Sequence, residues 1–388
     1  MSGLYRRSFF LFLMNATGGA FNYFFIYLTV KRLAVTELGQ FSSELAIYML
    51  CLSIAGVAQN WAVFSRPSAA RFRLFQHVGL AVGLVTLFLA GFGVFSHSSV
   101  TTVLFAAFPA MTLVQVCSGH FQRVYAFFRF GLVSVLWAVL KFGFGFFSNT
   151  PNGFAMAFLF ASSIVLVLAS VGLRSVDKEV AESTEVPPDF GRQLTMSALT
   201  AVGYAWLPAY DLLTVRFLLG STSAGMFSQL QLFSKITYHA PVTLLQISLP
   251  YYAKILKDSR PAPILHHLRK LEWRGLVASF SAIAVLAGLG PAFCEHVLHI
   301  HVFETREIAL ICLAVLPLYG LMSAIQIHVS AGKLGMAAAF IASTFLVIAV
   351  AWILGWKTVD QYLVYSAIAN TVLGTVGWTL ASRLLRRK

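Results

Sequence analysis

Residues 28–42 read LTVKRLAVTELGQFS, and residues 213–228 read LTVRFLLGSTSAGMFS, nearly the same phrase half a chain later. Thr29 and Thr214 are 185 positions apart; after one inserted residue, Phe41 and Phe227, like Ser42 and Ser228, are 186 apart. Copies that agree in order and content predict an internal repeat. Its medium follows from composition: 58% of residues are hydrophobic, 11% are charged, 35 are Phe, and the mean hydropathy is +0.78. So few polar side chains cannot cover a surface in water, which excludes a soluble domain and places the chain in a bilayer.

A helix needs roughly 20 mostly apolar residues to cross the hydrocarbon layer. Such runs begin near Ser8, Phe41, Leu74, Val100, Gly131, Gly153, Gln193, Gly225, Gly275, Arg306, Gly335 and Gln361, so the expected fold is all-α and polytopic, with about twelve transmembrane helices. The first run continues through Val30, too long for a cleavable leader, and reads as an uncleaved helix. Asn149-Thr150-Pro151-Asn152 is the sharpest turn signal. With both termini cytoplasmic, 21 Lys and Arg fall in inside segments and only 5 (Lys31, Arg32, Arg216, Arg306 and Lys357) in outside ones, the bias expected of an N-in, C-in protein. The net charge of +14 therefore reads as topology and anionic-lipid contact, not nucleic-acid binding, because the basic residues form short clusters between apolar runs. Cys51, Cys117, Cys294 and Cys312 lie in or beside apolar runs with no CxxC spacing and read as small buried hydrophobes.

Each copy of the phrase then lies at the outer end of the first span of a six-helix half. The halves have the same orientation, as parallel repeats do, and comprise residues 1–178 and 193–388. Residues 179–192 form the cytoplasmic linker, inside the polar stretch RSVDKEVAESTEVPPDFGRQ, where Pro187-Pro188 stops a helix. The outside turns ending GQFS and GMFS, the segment DLLTVRFLLGSTSAGMFSQLQLFSKI (211–236) and the following LPYYAKILKD (249–258) resemble the polysaccharide-transport branch of the multidrug, oligosaccharidyl-lipid and polysaccharide exporter superfamily. The resemblance covers most of the chain by topology, and residues 25–50 and 205–260 by motif. It implies a multi-pass protein of the bacterial inner membrane that flips a polyprenyl-pyrophosphate-linked oligosaccharide through a cationic cavity. It also implies membrane lipid and glycan-assembly enzymes as partners. At 388 residues the chain is short for that branch.

The residues carry their own argument. An ionisable group at the bilayer midplane costs about 2.5–3.5 kcal/mol on insertion scales, so Lys235 and Lys141 each need a reason. Lys235 shares a helical face with Ser228, Gln231, His239 and Gln246. Lys141 aligns with Ser134, Gly145 and Ser148, beside Trp137. Milder stripes run through Asn15, Gly18, Asn22 and Thr29, and through Ser197, Thr200, Tyr204, Pro208 and Asp211. Polar stripes in several helices predict a shared wet cavity; the same residues also serve as hydrogen-bonding glue between packed helices, and a lysine can snorkel to headgroups. A cavity holding two lysines and no carboxylate at that depth attracts anions, and lysine is a point-charge binder of phosphate. Gln231, His239, Asn22 and Tyr204 complete the candidate substrate-binding set, with polar groups for sugar hydroxyls and aromatic faces for pyranose rings.

Asp211, Glu44, Arg32 and Arg216 lie toward outer span ends. They read either as an ion-paired gate or as interfacial charges solvated by headgroups, and Asp211 is also a candidate for a coupling proton or sodium ion. No cofactor is expected. The segment CEHVLHIHVFETRE crowds Glu295, His296, His299, His301 and Glu304 but lacks HExxH or paired cysteines, so it reads as a solvated rim, not a metal site. PYYAKILKDSRPAPILHHLRKLEWRG (250–275) has the character of a basic helix lying on the membrane surface.

Two alternatives remain beside the flippase. A cation-coupled drug antiporter of the same superfamily needs buried carboxylates that spans one, two and ten lack at midplane. A membrane polysaccharide polymerase or ligase needs a sizeable outside loop or a cluster of catalytic acids, whereas every outside segment is about ten residues or shorter. Transport without covalent chemistry is the expectation, and hence no enzyme.

Overall fold

Hydrocarbon offers no hydrogen-bond partner, so so apolar a chain must pair its backbone within each segment, which a helix does locally. The computed structural model describes residues 2–65, 99–123, 127–174, 190–257 and 264–386. Among them are twelve α-helices and no strand: α1 (Ser2–Arg32), α2 (Val35–Ser65), α3 (Ser99–Arg123), α4 (Phe127–Phe146), α5 (Pro151–Arg174), α6 (Phe190–Trp206), α7 (Tyr210–Lys257), α8 (Ile264–Phe293), α9 (Thr305–Val315), α10 (Leu318–Ser330), α11 (Leu334–Leu354) and α12 (Val359–Arg386). Seven helical runs among the described residues are long and apolar enough to cross a membrane. The chain is an all-α polytopic membrane protein.

The helices follow the expected order of spans, with breaks that composition does not show. α6 gives way to α7 at Leu207-Pro208-Ala209, and α9 to α10 at Leu316-Pro317, where proline withdraws a backbone donor. α7 is itself two helices joined at Gly220 (φ 86°, ψ −176°), a conformation a side chain would strain. The eighth span therefore begins just after Gly220, slightly earlier than expected. The third expected span, from Leu74, lies outside the described residues, as does the linker except for residues 190–192, which open α6. The basic stretch 250–275 does not form a helix of its own. α7 runs to Lys257 and α8 starts at Ile264, so the stretch makes the ends of two long helices. Extending an existing helix adds a hydrogen bond per residue, whereas a separate one must be nucleated.

The chain divides into two compact units, Met1–Leu33 with Glu44–Ala201, and Ala34–Ser43 with Val202–Lys388. In the first, α1 packs on α4 and α3 on α5. Gly18 lies against Ser134, Gly131 against Met14 and Gly145 against Phe25, the small-residue contacts that let membrane helices approach closely. The turn expected at 149–152 is present: Pro151 takes the first position of α5, and the Thr150 hydroxyl accepts from the Gly153 N–H at 3.1 Å. Val114, Cys117, Phe121, Val133, Val165 and Ala169 form one core cluster. Beside it, Tyr48 meets Phe105, Phe108 and Phe158 edge to face. Arg32 donates to the carbonyls of Phe146 and Ser148 at the end of α4, and Arg129 to that of Gly172 near the end of α5 at 2.8 Å, satisfying acceptors the helices leave open.

In the second unit the span Thr305–Ser330 is the core, with 78% of its most apolar window buried against 22% for Trp273–Leu298. α10 crosses α12 at backbone contact: a Cβ on Gly374 would strike the Pro317 carbonyl, and one on Gly320 the Gly374 carbonyl. Within this unit the two copies of the opening phrase touch each other. A Cβ on Gly39 would strike the carbonyl of Ser221, and one on Gly225 would strike that of Val35. Val35 and Ser221 are equivalent at the 186-residue offset, as are Gly39 and Gly225, so the contact is reciprocal. At its middle the hydroxyls of Thr36 and Thr222, equivalent again, are 3.1 Å apart. All four cysteines are free thiols; Cys117, Cys294 and Cys312 are buried.

Candidate functional site

The polar stripes of α1 and α4 face each other inside the first unit. Gly18 lies on Ser134, the Lys141 ammonium donates to the Asn22 side-chain carbonyl, and Phe25 lies on Gly145, in matching order because the helices run the same way. Lys141 is only 5% exposed. Its Nζ sits 4.1 Å from the ring centre of Trp137, 4.8 Å from Phe158 and 4.9 Å from Phe25. A desolvated cation over an aromatic face gains about 2 kcal/mol, so three faces offset the cost of burying the charge. The cage is itself held: Trp137 Nε1 donates to the Ser162 hydroxyl at 3.2 Å, and Phe25 meets Phe158 edge to face at 5.3 Å.

In the second unit, Ser228, Gln231 and Lys235 take one face of α7, as their spacing requires. Ser228 and Gln231 are buried and Lys235 is half-buried, with no carboxylate partner among the described residues. The Ser228 hydroxyl and the Gln229 carbonyl make no hydrogen bond, nor do the Ser323 hydroxyl and both amide atoms of Gln326 on α10. An unpaired buried polar group costs about 1–3 kcal/mol, and native folds keep few of them. These two helices therefore carry buried hydrogen-bonding capacity that no described residue satisfies. The side chains of His239 and Tyr204 lie outside the described residues.

Asp211, 2% exposed, is the centre of a second buried cluster. Its Oδ1 accepts from the Tyr362 hydroxyl at 2.5 Å and the Ser366 hydroxyl at 2.8 Å, and its Oδ2 from Asn370 Nδ2 at 3.2 Å. Asn370 Nδ2 also donates to the Ala314 carbonyl at 2.8 Å, and Asn370 Oδ1 accepts from the Tyr210 hydroxyl. Three neutral donors thus converge on one buried carboxyl group, with no adjacent cation among the described residues. Tyr362, Ser366 and Asn370 were not among the candidates read from sequence, yet they repeat every fourth residue on one face of α12, the signal that singled out Lys235.

Two of the residues read as a gate have partners inside their own unit. Arg32 is committed to the carbonyls ending α4, with its guanidinium 5.2 Å from the Phe146 ring centre, and Asp211 to α12. Arg216 and Glu44 are half-buried. Arg306 and Asp360 form an exposed ion pair at 3.6 Å. No group of three His, Cys, Asp or Glu able to hold a metal ion occurs among the described residues.

By sequence, no protein-family profile and no curated protein matches the chain. By structure it is similar to an inward-facing multidrug resistance transporter of the MATE family of the MOP superfamily, with TM-score 0.69, 11% identity and 95% of each chain covered. It is similar to the lipid II flippase MurJ in an inward closed conformation, with TM-score 0.66 and 12% identity over 97% of this chain and 87% of that one. A MOP superfamily transporter from Pyrococcus furiosus, whose binding pocket is described as reversed in polarity and suggestive of a different function, aligns with TM-score 0.60 and 13% identity over 96% and 92%. Identities this low show a shared fold and leave the cargo to the residues. Because nearly the whole chain is covered in each case, this polytopic helical protein shares the fold of these membrane transporters.

Proposed function

We propose that the protein is a flippase that moves a polyprenyl-pyrophosphate-linked oligosaccharide across the bacterial inner membrane by alternating access, with both termini cytoplasmic. The observation that carries this reading is the α7 face of Ser228, Gln231 and Lys235: a lysine with no carboxylate partner among the described residues, on a helix that, like α10, holds buried polar atoms unsatisfied among the described residues. Such a surface favours an anion carrying many hydroxyls and disfavours an organic cation. Lys235 would hold the pyrophosphate, and Gln231, His239 and Tyr204 the sugars. Lys141, held against Asn22, makes the interior of the first unit cationic as well. The MurJ neighbour, described as a lipid II flippase, supports a lipid-linked cargo on this fold. The Pyrococcus furiosus neighbour, described as having reversed pocket polarity, supports reading the cargo's sign from the residues and not from the fold. Asp211, the buried carboxylate of the second unit, would take the coupling proton or sodium ion, and Arg216, Glu44 and Arg32 would serve a gate on the outer side. Enzymes that assemble the glycan are the natural suppliers of the cargo.

The test is uptake of a labelled polyprenyl-pyrophosphate sugar into vesicles carrying the purified protein. Lys235→Ala should reduce transport about 10–100-fold, the worth of one charge-assisted hydrogen bond, and Lys235→Arg should retain part of it. Wild-type rates in Lys235→Ala would sink the assignment. Efflux of an organic cation that is indifferent to Lys235→Ala would instead make the protein a cation-coupled antiporter.

A further inference from the structure

The aromatic box around Lys141 is a cation site by construction. Three ring faces within 4.9 Å and one amide oxygen are the groups that bind ammonium ions, and the ion inside belongs to the chain. Its walls come from three helices: Asn22 and Phe25 from α1, Trp137 from α4 and Phe158 from α5. The surrounding sequence offers an incoming cation little else. Residues 45–176 contain no Asp or Glu, and Glu44 is the one carboxylate among the described residues of the first unit. The second unit has the opposite arrangement, a buried carboxylate held by neutral donors with no cation beside it among the described residues.

We propose that the first unit contains a binding site for a primary alkylammonium, kept permanently filled by Lys141, so that the ion exchanged during transport is bound in the second unit alone. The second clause rests on the reading of Asp211 as the coupling group; the first does not. A tethered cation joins α1, α4 and α5 without ever leaving, so this unit keeps its charge and packing in every step of the cycle.

Truncation to alanine removes Cγ, Cδ, Cε and Nζ, the atoms of propylammonium. Purified full-length Lys141→Ala should therefore melt several degrees below wild type and regain much of that loss, saturably, with propylammonium. Propanol, of the same size but neutral, and sodium should restore nothing, and wild type should not respond to propylammonium. Equal restoration by propanol, or none by either, would show that the box is only a packed hole and overturn the proposal. Should Lys141→Ala fail to fold, Lys141→Met carries the test, since it fills the volume without the charge; wild-type stability and transport in that variant would overturn the proposal equally. The second clause is read separately, from the dependence of transport on proton and sodium gradients in Asp211→Asn. Complete loss of dependence supports a single exchange site, whereas a residual dependence shows another. A fully retained dependence removes Asp211 from coupling while leaving the alkylammonium result standing.

Discussion

Gly225→Val should be among the most damaging single substitutions in this protein, and Gly39→Val should match it. At both positions the obstacle is a carbonyl oxygen of the other copy of the repeated phrase, on Val35 or Ser221, and not the far end of a flexible side chain. Overpacking costs about 1–3 kcal/mol where side chains can move aside, and here the helix backbones themselves must separate, so the cost should reach or exceed about 3 kcal/mol. Gly288→Val is the control, because nothing lies within 4 Å of a Cβ there. The geometry can be read directly. With the hydroxyls of Thr36 and Thr222 3.1 Å apart, Thr36→Cys with Thr222→Cys in a protein cleared of its own cysteines should oxidise to a disulfide. Gly39→Val or Gly225→Val should abolish that cross-link, while Gly288→Val leaves it. Efficient cross-linking in Gly225→Val would mean that the phrases do not meet glycine to backbone.

Asp211→Ala should lower stability by about 2–5 kcal/mol. Three hydrogen bonds end on this carboxylate, and interhelical bonds in a bilayer are worth about 0.6–1.7 kcal/mol each. The hydroxyls of Tyr362 and Ser366 would be left buried without their acceptor. Asn370 would fare better, because it keeps the Ala314 carbonyl. Asp211→Asn separates structure from charge. The amide retains an acceptor oxygen and the two hydroxyls can turn, so this variant should fold close to wild type in a thermal melt. It should, however, transport without its ion dependence. A wild-type ion dependence in Asp211→Asn would leave the cluster as a strut joining α7 to α12 and nothing more.

Much of the candidate site was legible as a list and little of it as an arrangement. The stripe rule found Asn22 and Lys141 because a charge in an apolar run stands out. It did not show that the two bond to each other, since nothing local to α1 or α4 says which helix is its neighbour. Arg32 was legible as a charge at a span end, but its commitment to the carbonyls ending α4 depends on where a helix more than a hundred residues later terminates. Tyr362, Ser366 and Asn370 passed unremarked because each alone is an ordinary polar residue of a membrane helix, and they gain significance only beside Asp211.

The sequence by itself determined the all-helical class, the order of the spans, the turn at 149–152 and the duplication of one phrase. These follow from composition, since a segment in hydrocarbon must satisfy its backbone internally, and each span therefore announces itself. Only the tertiary structure decided the break at Gly220, the meeting of the two phrase copies, the cage around Lys141 and the donors around Asp211. Those depend on which helices lie side by side, and a side chain's partner is chosen by distance in space, which no local stretch of sequence encodes.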